Sequence, residues 1–299
     1  MKVTRLQDAE PRPRHVAIGT FDGVHLGHRE VIHGADTVVT FDPHPRGVLR
    51  PGTEPKLLTT LARKTELIAE CGAEELVIIP FDLAFAARSA EDFLEHVLIE
   101  RLSATHVTVG ENFSFGHRAG GNVAMLEADG RFACRVVPLL EVGGEIVSSS
   151  HIRGLLAGGA VHWADELLGS PFVVDGIVQR GEGQGTALGH PTANIVADPH
   201  LATPGHGVYA TRVRVGDGWY AAATTVGVRP QASAGRWEVI EAHLLDWEGD
   251  VVGQPLRVEF LRRLRGERRF AGDAELAAQL AQDAADARAA VGPIAAPGC

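Results

Sequence analysis

Gly19-Thr20-Phe21-Asp22-Gly23-Val24-His25-Leu26-Gly27-His28 closes an apolar run, residues 15–21, that reads as a β-strand. Glycines at a strand end allow a tight turn and close backbone approach, and a helix beginning near His28 would aim free amides at a phosphate. His25 and His28, separated by Leu26 and Gly27, can face one spot. There they can donate hydrogen bonds to the charge that builds on a phosphorus under attack. An HxxH spacing alone suits surface or metal-binding histidines equally well; the strand, glycine turn and helix around it favour phosphate chemistry. Neither His has a Glu beside it in HExxH fashion, which argues against zinc hydrolysis.

Outward from this stretch, residues 37–41, 75–81, 106–110 and 132–139 form further short apolar runs rich in Val and Ile. Continuous apolar strands suit a parallel sheet buried on both faces. Between them, residues 57–71, stopped by Gly72, and 89–102 read as helices. Ser89 is a good N-cap, with Glu91 and Asp92 in the first turn where the helix dipole favours acids. The alternation predicts a Rossmann-like α/β domain with a parallel sheet and ligands at the carboxyl ends of its strands. Residues 29–36 leave little room for a crossover helix, so the first βαβ unit must be compact.

After about Leu168 the texture changes to β-rich segments, residues 172–179, 207–215, 219–226, 239–245 and 256–261, separated by Gly, Pro and Asp turns. That spacing predicts an antiparallel β-barrel, followed by an Ala-rich C-terminal helix over residues 274–290. The expected domains are residues 1–168 and 169–299.

Composition narrows the function class. The 299 residues carry a formal net charge of -10, which argues against broad binding to nucleic acid or anionic membrane. An anionic small ligand remains compatible, because local Arg and backbone amides hold phosphates on acidic proteins. Cys71, Cys134 and Cys299 are too widely spaced for a CxxC metal site or a disulfide framework and read as incidental thiols. Residues 1–14 are polar, without an apolar leader core, and no apolar run approaches the roughly 18 residues that span a bilayer. The expectation is a soluble, cytoplasmic protein with no obligate protein partner evident.

Further stretches fit phosphate and nucleotide handling. Thr40-Phe41-Asp42-Pro43-His44-Pro45 follows the second strand, and its prolines stiffen a loop at the ligand-bearing edge. Ser148-Ser149-Ser150-His151-Ile152-Arg153 puts hydroxyls at a helix start and an Arg one turn in, donors suited to nucleotide phosphates; Ser149 and Ser150 would serve equally as an N-cap. In the second half, a glycine-rich loop through Gly185 runs into a turn at Gly189-His190-Pro191-Thr192-Ala193-Asn194. Thr192 and Asn194 supply neutral oxygens of the kind that share Mg²⁺ with phosphates, although such a loop also occurs as an ordinary barrel connection. Glu241 and His243 alternate on one strand and share a face. A carboxylate there can take the proton of a primary hydroxyl that attacks a γ-phosphate, or simply stand solvated.

Taken in order, GTFDGVHLGH, TFDPHP, VGENFSFG at residues 109–116 and SSSHIR resemble the bacterial bifunctional riboflavin kinase/FAD synthetases. The second half continues the likeness with GHPTAN, GVYA, VGVRP, EAHLLDW and VEFLRRLR, so it spans residues 15 to about 288. The resemblance implies a nucleotidyltransferase domain and a riboflavin kinase barrel, which turn riboflavin into FMN and FMN into FAD with ATP and Mg²⁺. By it, His25 and His28 stabilise the adenylyl-transfer transition state, and Gly19, Phe21, Asp22, Gly23, Asn112, Phe113, Ser149 and Ser150 lie by the nucleotide. It also implies that Arg153 holds the leaving pyrophosphate. Phe41, Asp42, Pro43, His44 and Pro45, with Arg229, contact flavin, Gly185, Thr192 and Asn194 handle Mg-ATP, and Glu241 is the kinase base. The family usually carries Arg at Thr186, Phe at His190, Thr-Phe at Gln231-Ala232 and Asn at Thr225, and a longer stretch between His28 and Thr37. These departures leave adenylylation alone as an alternative. A non-catalytic flavin sensor is a third reading, but it would need no base at Glu241.

Overall fold

The computed structural model describes residues 1–180, 192–231 and 235–294, with the side chains of 228–231 and 235–238 left aside. Contacts divide the chain into two compact units, residues 1–149 and 150–299.

In the first unit, β1 (Lys2–Arg5), β2 (Arg14–Ile18), β3 (Thr37–Asp42), β4 (Glu75–Pro80), β5 (Ala104–Gly110) and β6 (Ala133–Val137) form one parallel sheet in the order β1-β4-β3-β2-β5-β6. Val16, Ile18, Val39, Val77 and Ile79 point to one face, where Phe93, Leu94, Val97 and Leu98 cover them. Ala17, Val38 and Leu76 point to the other, against Ile32, Leu67 and Ile68. Strict alternation between two apolar faces is why these strands read as unbroken apolar runs. The polar edge strand β1, which pairs with β4, was not expected from the sequence, since an edge needs no such run.

Chain order reverses direction in the sheet at β2: β3 and β4 lie to one side of it, β5 and β6 to the other. The crevice beyond the carboxyl ends of β2 and β5 is therefore the expected ligand site of such a sheet. At the opposite ends of the strands, the buried Arg14 guanidinium donates to Glu75 at 3.1 Å and to the Leu102 carbonyl at 3.1 Å. This pins β2 to β4 away from the crevice.

Several predicted boundaries move. The strand ends at Ile18 rather than residue 21, because Gly19 to Val24 already turn. The following helix is Leu26–Ile32, so it starts before His28. The segment at 57–71 is helical only over Leu61–Glu70, with Thr60 as the N-cap. Ser89 does cap its helix, its hydroxyl accepting from the Asp92 amide at 3.1 Å.

In the second unit, β7 (Phe172–Gln179), β8 (Ala193–Ala197), β9 (Gly207–Val215), β10 (Gly218–Gln231), β11 (Gly235–Leu244) and β12 (Pro255–Arg265) close an antiparallel barrel in the order β7-β8-β11-β10-β9-β12. β8 was missed in the sequence, which read the PTAN stretch as a turn. Closure removes the barrel's edges, and Ile195, Val226, Ile240 and Val258 are buried within it. The C-terminal helix, Asp273–Val291, packs Ala284 and Ala287 on Ala210, Ala223 and Leu245. Its buried Asp283 accepts both arms of Arg265, at 2.9 and 2.7 Å.

Asp165, on the helix Val161–Leu168, accepts the Phe172 amide that opens β7, at 2.8 Å. Burial, with Glu259 and Glu166 nearby, pushes its carboxyl up to about 8. The unfolded chain ionises this group from about pH 4, whereas the folded barrel holds it neutral until about 8. Stability from this group therefore falls as pH rises through that window and levels off above it. Asp165→Asn keeps an acceptor for Phe172 and should flatten this slope, raising the melting temperature at about pH 8 more than at about pH 5. Equal shifts at both pH values would refute the assignment.

Candidate functional site

The turn between β2 and the helix Leu26–Ile32 holds the first site. Phe21 and Val24 are buried non-glycine residues with φ of 48° and 43°, and Gly23 has φ 86°. Left-handed backbone at bulky residues is costly and persists only where surroundings enforce it. They do. Gly19 donates to the Val39 carbonyl at 3.1 Å, and its missing side chain leaves room for the Phe21 ring, which lies 3.0 Å from where a Cβ would stand. The Thr20 carbonyl accepts from Thr40 Oγ1 at 3.0 Å and from Lys64 Nζ at 2.8 Å. Buried Asp22 accepts the Leu58 amide at 2.8 Å, while its own carbonyl accepts from Ser149 Oγ at 2.9 Å. Gly23 donates to Thr59 Oγ1 at 3.2 Å.

The two histidines meet at the end of this turn. Their rings stack, with centroids 3.5 Å apart and planes 16° from parallel. His25 is the N-cap: its Nδ1 accepts the His28 amide at 3.3 Å. An amide can only donate, so His25 Nδ1 carries the lone pair and a neutral His25 holds its proton on Nε2. His28 sits edge-on to the Phe21 ring, 5.4 Å between centroids, and its buried Nδ1 has no hydrogen-bond partner among the described residues. Burial, then the charges of His25 and Lys64, holds the His28 imidazole well below its ordinary pKa. The pair thus stands at a helix start, with the buried His28 favouring its neutral form.

β5, neighbour to β2, ends in Gly110, and Glu111, Asn112 and Phe113 turn back there, with the Phe113 amide donating to the Gly110 carbonyl at 3.0 Å. The TFDPHP stretch leaves β3 on the other side of β2. His44 caps a short helix with Pro45 in its first turn, its Nδ1 accepting the Arg46 amide at 3.2 Å. Phe41 joins a run of rings: it meets Phe81 at 5.8 Å and Phe85 at 6.4 Å, Phe85 meets Phe93 at 6.4 Å, and Phe93 meets Phe115 at 5.2 Å. Phe113 stacks on Phe115 at 5.7 Å, so one aromatic seam runs from the TFDPHP loop to the ENFSFG turn.

Of the residues expected beside the nucleotide, Asp22 accepts the Leu58 amide and Ser149 donates to the Asp22 carbonyl of the turn. Ser150 and Arg153 lie in the helix Ser149–Ala157, in the second unit, where Arg153 donates to Ser150 Oγ at 3.2 Å.

On the barrel, residues distant in sequence fall into one row. Asn194 pairs directly with Glu241, and Glu241 with Thr225 on the next strand. Directly opposed residues of an antiparallel pair have Cβ atoms about 5 Å apart. Ile195, Ile240 and Ala242 are buried, while Asn194, Glu241 and His243 alternate with them and are only half-buried, which puts the polar row on the outer face. Thr192 precedes β8 directly. Gly185, Thr186, His190 and Ala232 lie outside the described residues, as do the side chains of Arg229 and Gln231.

Sequence reasoning overlooked Lys64. Its signal was a cation on the apolar stripe of an amphipathic helix, in register with Leu67 and Ile68, all three of them buried.

A stacked histidine pair at the switch point of a parallel sheet, joined to a barrel with an Asn–Glu row, defines a two-module nucleotide-handling enzyme. The comparisons name it. Residues 7–151 match the FAD synthetase family and residues 168–291 the riboflavin kinase family. The bifunctional riboflavin kinase/FMN adenylyltransferase of Bacillus subtilis is 35% identical, covering 91% of this chain and 90% of that one. The Escherichia coli K12 enzyme of the same name is 34% identical, covering 91% of each. The chain therefore belongs to the bifunctional riboflavin kinase/FMN adenylyltransferase family. A crystal structure described as a macrolide-efflux protein from Streptococcus pneumoniae shares the fold, with TM-score 0.88, 27% identity, and coverage of 96% of this chain and 99% of that one. Among the described residues no helix is long and apolar enough to cross a membrane.

Asp22→Ala leaves the buried Leu58 amide without its acceptor, a loss of about 1–3 kcal/mol. The first unit should melt earlier and form FAD more slowly, while Asp22→Asn, which keeps an acceptor oxygen, loses less. Equal melting of the two variants would remove Asp22 from this role.

Proposed function

We propose that the chain makes FAD from riboflavin in two ATP-dependent steps, with the kinase step in residues 169–299 and the adenylyl step in residues 1–168. The observation that carries the adenylyl assignment is the stacked His25–His28 pair at the carboxyl end of β2. A phosphate oxygen of FMN attacks the α-phosphorus of ATP, a new P–O–P bridge forms, the α–β bridge breaks, and pyrophosphate leaves. His25 Nε2–H and His28 donate to the oxygens on which charge builds; no covalent enzyme intermediate is involved. Gly19, Phe21, Asp22 and Gly23 shape the turn, with Asn112, Phe113, Ser149, Ser150 and Arg153 as further nucleotide contacts. The aromatic seam at Phe41 supports seating the isoalloxazine beside Asp42, Pro43, His44 and Pro45.

For the kinase step, the direct pairing of Asn194 with Glu241 supports a site on the outer face of β8 and β11. Glu241 takes the proton of the ribityl hydroxyl as that oxygen attacks the γ-phosphorus and ADP leaves. The described residues offer no cluster of three or more His, Cys, Asp or Glu around a metal. Such a sparse, hard-oxygen set fits Mg²⁺, which keeps waters and substrate phosphates as ligands, with Thr192 and Asn194 beside them. When bound, Mg²⁺ neutralises charge on the phosphate oxygens. Gly185 and Arg229 complete the proposed nucleotide and flavin contacts. The need for ATP supports a cytoplasmic setting for this work.

Purified protein given riboflavin and Mg-ATP should yield FMN and then FAD, separated by chromatography. FMN that never becomes FAD would overturn the adenylyl reading; FAD formed only from supplied FMN would leave adenylylation as the sole activity.

His28→Ala should cut FAD formation from FMN roughly a hundredfold or more, the scale of losing one donor to developing charge, and spare the kinase step. Glu241→Gln should cut riboflavin phosphorylation roughly a hundred- to ten-thousandfold and spare FMN adenylylation. Damage to the same step by both variants would refute the division.

A further inference from the structure

We propose that Lys64 is a positioning residue for adenylyl transfer, its buried ammonium clamping the Gly19–His28 turn through the Thr20 carbonyl and lending that turn a fixed positive charge. The inference rests on the reading that this turn handles the α-phosphate.

Lys64 rises from the helix Leu61–Glu70, beneath the turn rather than in it, with 8% of its surface exposed. Its Nζ reaches the Thr20 carbonyl at 2.8 Å, on the same oxygen that accepts from Thr40 Oγ1. Thr20 immediately precedes Phe21, the first residue held at positive φ. A carbonyl fixed by two donors cannot rotate, so the peptide that enters the strained turn is locked. A Met or Leu at this buried position would avoid the cost of desolvating a charge, yet the position holds a cation.

The charges around it explain how the cation is tolerated and what it does. Asp22 and Asp42 attract it and offset part of the burial that pulls its pKa below the ordinary Lys value. On its other side it faces His28, whose imidazole it helps to keep unprotonated together with burial and His25. Arg at this position would keep the charge but alter the reach; Gln or Met would remove the charge.

Lys64→Met and Lys64→Gln should lower kcat for FMN-to-FAD conversion roughly 10- to 100-fold, the scale of a misplaced reacting group, with a smaller change in KM. Riboflavin-to-FMN conversion by the same molecules should stay at the wild-type rate, which reports that the barrel is folded, while a melting curve reports that the first unit is. The decisive readout is the His28 titration, followed by NMR without nucleotide. It should move to higher pH in both variants and stay near wild type in Lys64→Arg, a shift that a purely structural lysine would not produce. If Lys64→Met fails to fold, the Gln and Arg variants carry the comparison. Identical His28 titration in those two, or full FAD synthesis in a folded Lys64→Gln protein, would overturn the inference. Wild-type protein that makes no FAD would instead overturn the reading of the turn itself.

Discussion

The Thr20 carbonyl, held by Thr40 from β3 and Lys64 from the helix Leu61–Glu70, anchors the turn on which the first site depends. Without that anchor, Phe21 and Val24 would relax from positive φ, and His25 would no longer be delivered to cap its helix. The cap in turn sets the His25 tautomer and brings the two rings into stacking contact. Local strain is held by tertiary hydrogen bonds that arrive from β3, from Leu58 and Thr59, and from Ser149.

The sheet gives this turn its neighbours. Because strand order reverses at β2, the ends of β3 and β5 flank it, and the TFDPHP loop and ENF turn arrive on opposite sides. The aromatic seam from Phe41 to Phe113 then links those two loops across the face packed by Phe93. The barrel solves a different problem. It presents Asn194, Glu241 and Thr225 as a row across adjacent strands. Thr225, where the family usually has Asn, stands directly beside Glu241, so that departure touches the proposed base at first hand.

Much of this was legible in the order of residues. Apolar runs at a β spacing, the Ser89 cap and the Ala-rich end segment are local signals, and local physics decides them: side-chain alternation, capping and helix propensity. The histidine pair, the Pro-stiffened loop and the Glu241–His243 alternation were visible for the same reason. The PTAN stretch was misread as a turn because five residues next to a glycine-rich loop carry too little pattern to announce β8. The polar edge strand β1 was missed because its pairing with β4 comes from a distant segment.

The sequence by itself determined two modules, their chemistry-bearing residue types, and the turn whose glycines permit close approach to a phosphate. Only the tertiary structure decided that Asp22 ties that turn to Leu58 and Ser149 bonds its backbone, that Lys64 lies beneath it, and that Asn194 stands opposite Glu241. The physical reason is range. Propensity and periodicity act over a few neighbouring residues, whereas a buried cation, a shared carbonyl and a strand register depend on partners 20 or more positions apart in the chain, which only packing brings together.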